Sequence, residues 1–313
     1  MKGRLWIILL CGGLVCAVAG HLWWKEYRSE YRRSRWRRAF AVRVNLEELA
    51  PNQHTDAIRK GFQPAPLASD RLVASKQQAS KRYLTRFGYI DPDATTNDVL
   101  DGGAATVERF QRNMGIRVTS QLDDVTREAM SSSRCALPDV DPLGAMALGP
   151  WTKKSLRYSF GHILMSLNGS DLRTAVRDAF ATWAEAGVGL AFVETLGTPD
   201  ISIEWRPGTD PDYDMSARGL VAHSDFPPGF SLIVSSAPLP LHFNESETWS
   251  LGASLGKYDV ETVALHEIGH CLGLPHSNLR SSIMYPVMLQ GALNRKPSPD
   301  DIANLKALYS QDR

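Results

Sequence analysis

The stretch 263-VALHEIGHCLGLPHS-277 gathers three of the chain's eight histidines, His266, His270 and His276, into eleven consecutive positions. Residues four apart lie on one face of an α-helix, about a turn from each other, so His266 and His270 can aim their imidazoles at one point. Gly273 lets the chain leave the helix through a left-handed turn, which brings His276 back toward the other two. Three nitrogen ligands with a fourth position open are what a catalytic zinc requires. Glu267, beside the first of them, stands where a general base for water is needed. The competing reading is a surface helix that happens to be rich in histidine. Val263, Leu265, Ile268, Leu272 and Leu274 oppose it, since they make the segment apolar on most sides, and buried imidazoles need partners. A second signature, 282-SIMYP-286, follows the extended HExxHxxGxxH pattern and strengthens the metal reading.

The chain around this stretch is an ordinary globular protein: 313 residues, 43% hydrophobic, 22% charged, formal net charge +1. That length suffices for two modest cores, and the charge balance gives no reason to expect nucleic acid as a partner. Positive charge is concentrated in 25-KEYRSEYRRSRWRR-38, which reads as a solvated basic linker or, through Arg35, Arg37 and Arg38, as an RxRR processing site. Residues 1–24 read as a signal peptide or a signal anchor. Lys2 and Arg4 precede an apolar run from Leu5 to Val18, and Ala17-Val18-Ala19 supplies an A-x-A cleavage site. The excess of Lys and Arg after the segment disfavours an anchor, which would tend to leave the rest of the chain in the cytosol. The chain is therefore expected to be secreted, with membrane attachment only if residues 5–24 are retained. Cys11 and Cys16 fall in that segment, leaving Cys135 and Cys271 as two lone thiols, to be read as a disulfide or as metal chemistry.

Residues 25–68 read as linker and 69–139 as a compact run of helices. "YLTRFGYI" ends a helix at Gly88, Val107, Phe110 and Met114 share a face, and "SQLDDVTREAM" starts a further helix. A unit of that size is near the lower limit for an independent core and is expected to lean on its neighbour. Residues 140–150, rich in Pro and Gly, form a second linker, and 151–313 a larger domain. There "SLRYSF", "LAFVE" and "ISIEW" read as strands. Leu172, Val176, Ala179, Phe180 and Trp183 line one helical face, and a last helix starts at Ser298 with Pro299 and a capping-box Asp301. Strand–helix–strand followed by helices indicates an α+β domain.

The extended zinc motif with its methionine turn resembles the metzincins, and the surrounding sequence resembles the matrixins, the matrix metalloproteinases. "VERFQRNMGIRVTSQLD", "SRCALPD", "GLVAHSDFPPG", "LHFNESETW", "HEIGHCLGLPHS", "IMYPV" and "SPDDIANLKALY" occur in that family's order, over about residues 70–310. The resemblance implies an α+β catalytic domain, with a twisted, mostly parallel sheet and three helices, behind a small all-α peptidoglycan-binding-like propeptide; since little sequence follows the closing helix, a hemopexin-like domain is not expected. It implies a latent zinc endopeptidase acting on extracellular matrix or other extracellular proteins, with an activating protease and the family's protein inhibitors as further partners. A catalytically silent zinc-binding protein is the alternative.

By the same resemblance Met284 floors the zinc without ligating it. Cys135 in "SRCALPD" would place a thiolate on the metal until the propeptide is removed, with Ser133 and Ala136 departing from the family's proline and glycine. Gly219, Leu220, Val221 and Ala222 would form the edge that binds an extended peptide, and Pro286 would begin the wall of the specificity pocket, which runs to Pro299. A structural zinc would take His223, His242, Asp210 and Asp212, with Asp210 replacing a histidine. A calcium ion would take Asp200, Asn244 and Glu247. Asn168-Gly169-Ser170 and Asn244-Glu245-Ser246 are glycosylation sequons. Activation would need cleavage between Asp141 and Trp151, which the RxRR site lies too far upstream to supply.

Overall fold

The structure is a computed structural model describing residues 68–91, 103–140, 149–210, 213–234 and 236–310, with side chains from residue 76 onward. The N-terminal apolar segment, the basic linker with its RxRR sequence and residues 141–148 lie outside the described residues. Among the described residues no helix is long and apolar enough to cross a membrane.

Among the described residues, three helices, α1 (Ala68–Arg86), α2 (Gly103–Asn113) and α3 (Asp124–Ser131), form the N-terminal unit. α1 stops because Gly88 adopts φ +84°, after which the Tyr89 and Ile90 amides turn back to the Leu84 carbonyl. α3 starts where the Asp123 carboxylate accepts from the Thr126 amide. Leu84, Phe87, Tyr89, Phe110 and Met114 make this unit's core, but the same cluster continues into Ala136, Tyr213, Met215 and Leu220. The helical unit is thus completed by its neighbour, as its size suggested.

The C-terminal part contains β1 (Ser155–Phe160), α4 (Gly169–Ala184), β2 (Ala191–Glu194), β3 (Ile201–Arg206), β4 (Ala222–Ser224) and β5 (Leu239–Asn244). After these come β6 (Trp249–Ser250), β7 (Tyr258–Asp259), α5 (Val260–Cys271) and α6 (Pro299–Tyr309). The sheet order is β2-β1-β3-β5-β4, with every pairing parallel except the edge strand β4. α4 is the crossover that a parallel β1–β2 pair requires. β6 and β7 form a separate two-stranded sheet that the sequence reading did not anticipate. The fold class is α+β, with three helices behind a mostly parallel sheet.

α5 is buried on nearly every side, as a helix without a polar face must be. The Trp183 indole of α4 donates to the Leu265 carbonyl at 2.8 Å and so fixes the two helices side by side. At the start of α5, Asp259 accepts from the Thr262 amide at 3.0 Å and from the Gly252 amide at 2.7 Å. Arg295 clamps the same carboxylate through two nitrogens, at 2.9 and 2.6 Å, and reaches Glu261 at 2.7 Å. At the start of α6, Asp301 completes the expected capping box with Ser298 and also accepts from the Ser282 hydroxyl and the Ile283 amide. A helix cap therefore anchors the methionine turn.

Burial pushes the Asp259 carboxyl up, but Arg295, Thr262 and Gly252 outweigh it and hold the group below the usual carboxylate range. A depressed carboxyl contributes stability above its unfolded value, about 3.9, and that contribution is lost as pH falls through the folded value. Arg295→Ala is therefore expected to lower unfolding stability by about 1–2 kcal/mol at pH 7, a modest figure because solvent screens part of the guanidinium. The gap to wild type should narrow below about pH 4. Urea denaturation at pH 7 and pH 3.5 measures both.

Candidate metal centre

α5 holds the rings of His266 and His270 one turn apart, with centroids 4.7 Å from each other. At its end Gly273 takes φ +102°, where a Cβ would meet the Gly149 carbonyl oxygen at 2.9 Å, so the turn admits glycine alone. The chain doubles back and brings the His276 ring within 5.3 and 4.7 Å of the other two. Each ring has an acceptor at Nδ1: the Ile283 carbonyl for His266 at 2.6 Å, the Leu274 carbonyl for His270 at 2.7 Å, and Asp139 Oδ1 for His276 at 2.8 Å.

Those partners only accept, so the proton is assigned to Nδ1 and each Nε2 carries a lone pair. Burial keeps the rings neutral, lowering His266 to about 3 and His270 well below its ordinary value. The Nε2 atoms of His266 and His270 face each other at 3.1 Å, and Nε2 of His276 is buried without a hydrogen bond. Lone pairs so placed repel unless a cation lies among them. Two nitrogens on one tetrahedral zinc at about 2.0 Å stand roughly 3.3 Å apart, so the donor set fits that ion.

Met284 lies buried beneath this centre. A Cβ on Gly269 would meet Met284 Sδ at 2.3 Å and Trp183 Cζ2 at 3.2 Å, so the methionine turn presses on the helix backbone between two ligands. Glu267 is fully buried, and its Oε2 accepts from the Ser224 hydroxyl at 2.8 Å. Burial pushes this carboxyl up to about 7 against that hydrogen bond. The Glu267 carbonyl lies 2.9 Å from the same Ser224 oxygen, so the one hydroxyl proton is shared between two acceptors of Glu267, an arrangement that no sequence pattern announces.

Residues 133–139 enter the groove over the three histidines. The Arg134 amide donates to the Gly219 carbonyl at 2.7 Å, Val221 donates to the Arg134 carbonyl at 3.0 Å, and Ala136 donates to the Ala222 carbonyl at 2.8 Å. On the other wall, Cys135 donates to the Pro286 carbonyl at 3.0 Å and Met288 to the Ser133 carbonyl at 2.8 Å. Arg134 runs parallel to Leu220 and antiparallel to Val287. Ser133 and Ala136 do not prevent this pairing, and the Ala136 methyl is fully buried.

Between the walls, Cys135 Sγ stands 3.7 Å from His270 Nε2 and groups with all three histidines. Burial and the nearby Glu267 push the thiol well above its ordinary value, so a cation is what would make it a thiolate. Arg134, also buried, pairs with Asp139 through two nitrogens, stacks 3.7 Å over the Phe87 ring and donates to Tyr83 at 2.6 Å. Cys135 and Cys271 are both free thiols, which removes the disulfide between them.

Residues 150–310 match the family model described as Matrixin. The chain belongs to the matrixin family. It is 33% identical to the hatching enzyme of Paracentrotus lividus over 242 residues, covering 76% of this chain and 39% of that protein. With matrix metalloproteinase-19 of Homo sapiens it shares 31% over 262 residues, 80% of this chain and 49% of the relative. With metalloendoproteinase 1-MMP of Arabidopsis thaliana it shares 32% over 255 residues, 73% of this chain and 67% of the relative. The chain spans about two fifths of the first of these relatives and about half of the second.

This matrixin has a second buried cluster. His223 on β4 and His242 on β5, far apart in sequence, are directly opposed in register. Asp210 Oδ2 lies 2.6 Å from His242 Nδ1 and 3.4 Å from His223 Nε2, and all three side chains are shielded from solvent. Two imidazoles and a carboxylate suit zinc. Asp212 lies outside the described residues.

Two expectations need correction. Asp200 precedes β3 and is taken by Lys153 Nζ and the Arg157 amide, both at 2.8 Å. Asn244 ends β5 beside Arg206, with Glu247 following it, so Asp200 lies six residues away along the strands, roughly 20 Å. One calcium ion does not reach all three. The edge expected over Gly219–Ala222 becomes a regular strand only at Ala222, because Gly219 has φ +84° and interrupts the extended run. Of the two sequons, Asn168 caps α4 at the surface, whereas Asn244 is buried with Nδ2 donating to Leu220 and Met215 carbonyls.

Chelation of zinc would leave three imidazole lone pairs crowded in a buried site, with the Cys135 thiol as the proton donor beside them. A strong chelator is expected to lower the thermal midpoint of the full-length chain by at least about 5 °C, and added zinc to restore it. Scanning calorimetry with and without chelator checks this.

Proposed function

We propose that this matrixin is a zinc-dependent endopeptidase held latent by its own N-terminal helical unit. The observation that carries the reading is the Cys135 thiol, seated among three converged histidines while its flanking backbone is paired with both walls of the groove. His266, His270 and His276 would hold the zinc. When bound, it supplies Lewis acidity toward a peptide carbonyl and toward water. Glu267 takes the proton from the attacking water and passes it to the departing amine, and Ser224 steadies its carboxylate for both transfers.

The groove's backbone groups suit an extended peptide. Gly219, Val221 and Ala222 offer one row of carbonyls and amides, Pro286 and Met288 the other, and a chain added between them would be bound as an extra strand. Beside His266 lies a cavity of about 600 Å³ lined by Tyr258, Val263, Ile283, Met288 and Leu293, which would accept a large apolar side chain next to the scissile bond. Met114 and Val125 of the helical unit also line it. Segment 133–136 uses the hydrogen bonds that a substrate would need, so chemistry requires its withdrawal. Cleavage between Asp141 and Trp151, by another protease or by self-cleavage, would release it.

Signal-like residues 1–24 support secretion, and extracellular proteins, matrix proteins among them, are the expected substrates, with the family's protein inhibitors as further partners. Asp210, His223 and His242 are proposed to hold a second, structural zinc.

Peptide hydrolysis by uncleaved chain tests the reading. Cys135→Ser is expected to raise the rate at least about tenfold over the wild-type precursor, since the blocking ligand is gone. Adding Glu267→Ala should return it to background. Equal rates with and without Glu267 would remove the enzyme reading and leave a silent zinc-binding protein.

A further inference from the structure

We propose that Asp139 is a positioning residue for the metal centre, fixing His276 so that the chain with its N-terminal unit in place holds zinc more tightly than the three histidines alone. The inference rests on the zinc reading above. The three ligands are not supported alike. His266 and His270 sit on α5 and give Nδ1–H to carbonyls of their own part of the chain, at Ile283 and Leu274. His276 lies beyond the helix, after the Gly273 turn, where no helical backbone orients its ring. Among the described residues the acceptor for its Nδ1 is Asp139 Oδ1, 2.8 Å away and 137 positions upstream.

A carboxylate on the non-ligating nitrogen keeps the lone pair at Nε2, holds the ring in place and makes the ligand more basic. Asp139 is itself rigidly held. Its side chain is 2% exposed, paired with Arg134 and hydrogen-bonded by the Tyr89 hydroxyl at 2.9 Å. The segment that brings the Cys135 thiol to the centre therefore also completes the setting of the third histidine. Withdrawing it removes both supports together. Release of the segment is therefore expected to loosen the ion as well as expose it.

The test uses full-length chain carrying Cys135→Ser, which removes the thiolate's own contribution, with and without Asp139→Asn. Tyr213→Phe in the same background is the control, because it deletes a hydrogen bond to the Ala136 carbonyl and loosens docking while leaving Asp139 in place. Zinc affinity is read by competition with a chromophoric chelator, and the His276 Nδ1 proton by long-range proton–nitrogen spectra. Asp139→Asn is expected to weaken zinc binding about tenfold or more and to move that proton upfield, whereas Tyr213→Phe leaves both close to the parent. Unchanged affinity in Asp139→Asn would overturn the proposal. So would an equal loss in Tyr213→Phe with the His276 proton unmoved, since weaker docking would then suffice. Absence of any zinc on the parent chain would bring down the metal centre itself, and this inference with it.

Discussion

Three imidazole lone pairs meet at one buried point, and the rest of this structure is organised around that convergence. Neutral nitrogens shielded from water with no proton to share are costly. Here each Nδ1 is committed to an oxygen acceptor, which fixes where every lone pair points. Such an arrangement is stable with a cation at its centre and strained without one. Metal binding and folding are therefore linked at this site.

Precision at the centre comes from parts that never touch it. The acceptor for His266 belongs to the methionine turn, and that turn is held by Asp301, a cap on the last helix. Trp183 fixes the ligand helix from one side, while Gly269 allows Met284 to press on it from another. The positions of His266 and His270 are thus set by backbone carbonyls and close packing, which vary little with side-chain motion.

The helical unit and the groove share one apolar cluster, so the unit's stability depends on staying docked. Its segment 133–139 lies between the groove walls through main-chain hydrogen bonds, anchored by the buried Arg134–Asp139 pair. Both partners lie on the segment itself, so the pair holds the segment in its docked shape and leaves the groove with it. A peptide entering the groove would compete for the same amides and carbonyls.

Much of this was legible in the chain itself. The spacing of His266, His270 and His276 with Gly273 between them, the capping box at Ser298 and the apolar face of α4 each follow from helix periodicity and backbone preference, which act over a few residues. Cys135 was legible through the company of Arg134 and Asp139. Other features were set only by tertiary structure. The hold of Ser224 on Glu267, the reach of Asp139 to His276, the opposition of His223 to His242 and the distance between Asp200 and Asn244 all depend on strand register and docking. Register is decided by which faces pack together across the whole domain. Local sequence determined which residues could ligate, and the fold decided which of them meet.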